Sequence, residues 1–119
     1  LLKNTSYTIL NPRRDDWDSS WEQSIDHPQF FEQVSWELNC LEKCSTILLY
    51  FCPETKAPIS LLEFGLFSDR PIHVVCPDGF WRKGNVEIVC ARYNIPLYLS
   101  LEDALKEIAA YARLSRTTE

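Results

Sequence analysis

With 119 residues, 45% of them hydrophobic and 13% aromatic, the chain has the size and composition of one globular domain, which excludes a disordered or fibrous protein. Seventeen acidic against 12 basic side chains give a net charge of −5, the wrong balance for a surface that tracks the phosphates of polymeric nucleic acid. No apolar run approaches a membrane span and no charged-then-apolar leader opens the sequence, so a soluble, cytoplasmic setting without a membrane partner is expected.

Residues 6–10 (SYTIL) are rich in β-formers and are stopped by Asn11-Pro12, so they read as a short strand. The loop that follows, NPRRDDWDSSW, is dense in charge and aromatic surface. It reads either as a solvated loop whose charges pair with one another or as a ligand-facing loop after a strand. Residues 28–44 read as a helix with Pro28 in its first turn. Phe30, Val34, Leu41 and Cys44 mark its apolar stripe, and one carboxylate, Glu37, stands on that stripe.

The almost unbroken apolar run at 46–52 suits a strand covered on both faces at the centre of a parallel sheet. After a proline-bracketed loop, a helix is expected over 59–68. Ile59, Leu62, Leu66 and Phe67 define its apolar face, and Glu63 falls among them. An ionised carboxylate on an apolar face needs a pair, a hydrogen bond or a wet cleft edge. A catalytic carboxylate at the carboxyl end of a strand is the sharper reading, and the helix dipole there favours its anionic form modestly.

Residues 71–76 (PIHVVC) form another buried-type strand in which His73 reads as a satisfied core or sheet-edge histidine. The glycine-punctuated loop PDGFWRKGN leads to Asn85, which suits the N-cap of a helix with Val86, Val89, Cys90 and Tyr93 inward. A strand at 95–99 and a helix over 101–114, opened by a capping box of Ser100 and Asp103, complete the order. Strands alternating with helices imply an α/β fold, a parallel sheet with helices on both faces. The five cysteines, without paired CxxC spacing, read as reduced and mostly buried. Two histidines, His27 and His73, supply no metal cluster. No glycine-rich phosphate loop for a dinucleotide or nucleoside triphosphate is present.

Four segments, NPRRDDWD, FFEQVSWELNCLEKC, APISLLEFG and GFWRKGNV, stand in the order in which the chain resembles the nucleoside 2-deoxyribosyltransferases, in the branch marked by an NPRR-aspartate-tryptophan loop. The resemblance implies a flavodoxin-like fold and transfer of a 2′-deoxyribosyl group between nucleobases, with no metal and no cofactor. It implies that Glu63 is the nucleophile that attacks C1′ and that Glu37 handles the proton on the leaving base. Asn11, Arg13, Asp15, Asp16 and Trp17 of the NPRR loop would bound the substrate pocket, Trp17 as a stacking surface. Gly84 and Asn85 would also bind substrate, Asn85 by completing a neighbouring subunit's site in a homo-oligomer. Ala57 occupies a position where some relatives carry an aspartate.

Relatives also have a strand and glycine-containing loop before the element at 6–10. Residues 1–119 are therefore expected to be a single domain incomplete at its amino terminus. Two alternatives accompany the transferase: an N-glycosidase acting on a nucleoside or nucleoside monophosphate, with Arg13 and Arg14 as phosphate contacts, and a non-catalytic nucleotide- or protein-binding module of the same fold.

Overall fold

The computed structural model describes residues 20–118, with side chains to residue 110. The strand expected at 6–10 and the NPRR loop lie outside the described residues. Two compact units divide in the sequence between residues 44 and 45.

The first unit contains α1 (Pro28–Lys43). Proline at its first position costs no hydrogen bond, since that N–H has no partner within a helix. The Phe31 N–H reaches the His27 carbonyl at 2.9 Å, and at the far end the Cys44 N–H returns to Cys40 at 2.9 Å. The expected stripe of Phe30, Val34, Leu41 and Cys44 is only half-buried. The buried residue of the helix is a polar one, Gln33, 5% exposed.

The second unit is built on a three-stranded parallel sheet in the order β1 (Ile47–Tyr50), β2 (Ile72–Val75), β3 (Leu97–Tyr98). Between and after these strands run α2 (Pro58–Phe67), α3 (Lys83–Arg92) and α4 (Leu101–Thr118). The α/β alternation read from the sequence is present. Ile47 pairs with Ile72 and Leu49 with Val74, so these side chains share one face of the sheet. Phe51 continues that face and packs edge-on against Phe64 of α2, ring centroids 5.8 Å apart. His73 and Val75 point the other way, with Val75 beside Tyr98. There α4 packs with Ala104, Ile108 and Ala109 buried. Helices therefore cover both faces.

Three expectations are corrected. Among the described strands β2, not β1, is in the middle, with Val74, Val75 and Cys76 fully buried. β1 lies at an edge of that sheet and alternates, Ile47 and Leu49 inward and Leu48 and Tyr50 exposed, so it is not covered on both faces. β3 keeps only two residues of the expected five, because Ser100 already turns the chain into α4, its hydroxyl accepting the Asp103 N–H at 3.2 Å.

The five thiols are free. Cys76 and Cys90 are buried, the other three half-buried, and burial pushes both buried thiols up, Cys90 to about 11. Among the described residues no helix is long and apolar enough to cross a membrane.

Candidate active site

In a parallel sheet the loops that leave the carboxyl ends of adjacent strands meet at one edge, the usual place for a ligand crevice. Here those loops run from Phe51 to Ala57 after β1 and from Cys76 to Arg82 after β2. An aromatic trio fixes their bases. Phe51, fully buried, contacts both Phe64 and Phe80, the latter ring centroid 5.0 Å away. The second loop turns at Gly79, whose φ of 96° suits a residue without a Cβ, and is tied back by Lys83, whose Nζ donates to the Cys76 carbonyl at 2.7 Å. Asp78 stands 3.8 Å from the same ammonium.

Glu63 lies on α2, the helix that departs from the carboxyl end of β1. The face of α2 that packs inward is not the one the spacing suggested. Phe64 and Phe67 are buried with Leu61 half-buried beside them, while Ile59, Leu62 and Leu66 are 61%, 58% and 54% exposed. On a helical wheel Glu63 falls between Phe67 and the exposed Ile59–Leu66 stripe, at the rim of the buried face, and it is half-buried. A rim position leaves the carboxylate partly open to solvent. Glu63 is also the sixth residue of a ten-residue helix, beyond the first turn in which the dipole acts, so the expected dipole support is small.

Gly84 and Asn85 lie in the first turn of α3, which departs from the carboxyl end of β2, and both are exposed. Asn85 is not the N-cap. The helix begins two residues earlier, with Arg82 at the cap position and the Val86 N–H bonded to the Arg82 carbonyl at 3.1 Å. The turn from Pro77 through Phe80 to Lys83 runs straight into the helix, so no side-chain cap is made. Glu63, Gly84 and Asn85 thus share the sheet-bearing unit, on helices that follow neighbouring strands.

Glu37 belongs to the other unit, on α1. Gln33, one turn before it on the same stripe, donates from Nε2 to Glu37 Oε1 at 3.1 Å. A buried amide bonded to a carboxylate fixes the carboxylate's rotamer by a charge-assisted bond. Sequence reasoning passed over Gln33, although a polar residue four positions before Glu37 on an apolar stripe was a visible signal. Asn11, Arg13, Asp15, Asp16 and Trp17 lie outside the described residues.

His73 has the satisfied position between sheet and helix that its place in a buried-type strand suggests. Its Nδ1 is 3.0 Å from the Tyr98 hydroxyl and the two rings stack at 5.9 Å. Burial lowers the His73 pKa, opposed by the negative charge of Glu107 on α4. The Tyr98 pKa is raised by burial and by the hydrogen bond it makes to Glu107.

A three-stranded parallel sheet with helices on both faces makes this an α/β protein. The profile of the nucleoside 2-deoxyribosyltransferase-like family matches residues 1–80, two thirds of the chain, and the chain belongs to that family. A search of the curated proteins gives no match. The matched span contains the NPRR loop, Glu37 and Glu63, and it ends before Gly84 and Asn85.

Proposed function

We propose that this chain cleaves the N-glycosidic bond of a 2′-deoxynucleoside and transfers the sugar to a second nucleobase. The observation that carries the reading is the family match over a span that holds both carboxylates, one of them half-buried on α2, the helix that follows β1. Departure of a base from C1′ builds positive charge on the sugar, so an ionised carboxylate on the opposite side both stabilises that charge and traps it. Glu63 is assigned that task. Its oxygen bonds to C1′ as the bond to the base breaks, and the electron pair leaves with the base nitrogen.

Glu37, held by Gln33, supplies the proton that neutralises the leaving base. A nitrogen of the incoming base then attacks C1′, releases Glu63 as a free carboxylate and returns its proton to Glu37. Two displacements retain the configuration. Water in place of the second base gives hydrolysis, the side reaction of the same site. No metal or redox group takes part in these steps.

Asn11, Arg13, Asp15 and Asp16 are assigned to polar contacts with the substrate and Trp17 to stacking on the base. Gly84 and Asn85, exposed in the first turn of α3, are assigned to a neighbouring subunit's sugar in a homo-oligomer. The exposed stripe of Ile59, Leu62 and Leu66 supports an oligomer, since such a surface is normally covered. A salvage role in the cytoplasm follows from this chemistry.

Incubation with a deoxynucleoside and a different free base tests the proposal. Exchange by the protein and at least a thousandfold less by Glu63→Ala is expected. No exchange and no released base, or equal activity in Glu63→Ala, would overturn it.

A further inference from the structure

Trp81 is a large aromatic side chain, 49% exposed, yet it is held from several sides. Its Nε1–H donates to the Lys56 carbonyl at 2.8 Å. The Arg82 guanidinium lies 4.4 Å and the Lys56 ammonium 5.5 Å from its ring centroid. Its neighbour Phe80 is buried against Phe51. The indole therefore bridges the loop after β2 to the loop after β1, and it does so two residues before Pro58, where α2 begins.

That junction lacks the usual fastenings of a helix start. The N-cap is Ala57, which has no side-chain acceptor, and it sits in the left-handed region with φ 44° and ψ 53°. Pro58, at the first helical position, brings no N–H. The first turn is closed by the Leu61 N–H on the Ala57 carbonyl at 3.0 Å, so the direction of α2 depends on how residues 56 and 57 are held. The bond that holds residue 56 comes from Trp81.

We infer that Trp81 is a positioning residue for Glu63: its indole N–H fixes the start of α2 and so the place from which the carboxylate six residues after Ala57 meets the substrate. The inference rests on the proposed role of Glu63. A displacement of about 1 Å at a reacting group costs substantial rate while leaving binding of the rest of the substrate intact. Trp81 itself is given no contact with the reacting atoms.

Trp81→Phe retains an aromatic ring for Arg82 and Lys56 and removes the donor. Two measurements on the full chain follow. Amide hydrogen exchange at Leu61 should become three- to tenfold faster in Trp81→Phe, with the β2 amides unchanged as the control for folding. In the base-exchange assay, kcat should fall three- to tenfold with KM within twofold of the wild type. Unchanged exchange at Leu61 overturns the inference whatever the activity. Unchanged kcat in an active protein also overturns it and leaves the role of Glu63 standing. A wild type without base exchange overturns that role instead, and the hold of Trp81 on α2 is then decided by hydrogen exchange at Leu61.

Discussion

Tyr98→Phe removes one oxygen from the layer between the sheet and α4, and the consequence can be worked out. The phenol is hydrogen-bonded to His73 Nδ1 at 3.0 Å, and the Glu107 carboxylate of α4 acts on it as well. A neutral hydrogen bond contributes about 1 kcal/mol net, and the nearby, exposed Glu107 carboxylate adds about 0.5 kcal/mol after allowance for solvent screening. The loss should total about 1.5 kcal/mol, because water can reach the half-buried imidazole. For a chain of 119 residues that corresponds to a fall of about 4–8 °C in the thermal midpoint at pH 7.5.

The pH dependence carries a second signature. Burial holds the folded-state pKa of His73 below its ordinary 6.5, so the unfolded chain binds the proton first. The associated stability is fully present above 6.5 and is lost as pH falls from there through the lowered folded value. Opening the site by Tyr98→Phe lets water at the imidazole and should flatten that slope. The double variant Tyr98→Phe, His73→Gln should lose no more than about 0.5 kcal/mol beyond Tyr98→Phe alone, since both act on one network. A midpoint within 1 °C of wild type at pH 7.5 would refute the network. Differential scanning calorimetry from pH 5 to 8 supplies all of these values.

Phe51→Ala empties the fully buried position between Phe64 and Phe80 and should cost about 3–5 kcal/mol, read as a lower urea midpoint; a loss below about 1 kcal/mol would contradict the packing. Ala57→Gly relieves the left-handed φ of 44° at a cost in unfolded-chain entropy, for a net gain of about 0.5 kcal/mol by thermal unfolding, and a loss of that size would contradict the assigned strain. Gln33→Leu keeps the volume of a buried residue and removes the donor to Glu37. Stability should change by less than about 1 kcal/mol while kcat for base exchange falls about three- to tenfold, and an unchanged kcat would show that this bond does not serve Glu37.

The order of elements was legible because each carries its own local signal: an apolar run for β1, a proline-bracketed loop before α2, and Ser100 before α4. The faces were less so. Seven of the ten residues of α2 are Pro, Ile, Leu or Phe, and a helix apolar nearly all round does not declare which side packs. Its inward face was settled instead by Phe51, a residue outside the helix whose ring packs on Phe64. Asn85 has the chemistry of a cap, but the cap position was taken by Arg82 because the preceding turn already had helical continuity. The carboxylates could be picked out one by one as misfits on apolar stripes. Trp81 could not, because its partner is 25 residues away and is a backbone carbonyl, which leaves no trace in side-chain patterns.

The proposed reaction turns on a covalent bond between Glu63 and the sugar. Intact-protein mass spectrometry after rapid acid quenching of the protein with a 2′-deoxynucleoside, followed by peptide mapping, tests it directly. A deoxyribosyl adduct is expected on the peptide containing Glu63, lost on addition of a second free base and missing from Glu63→Ala. Turnover with no adduct, or an adduct on another residue, would contradict it.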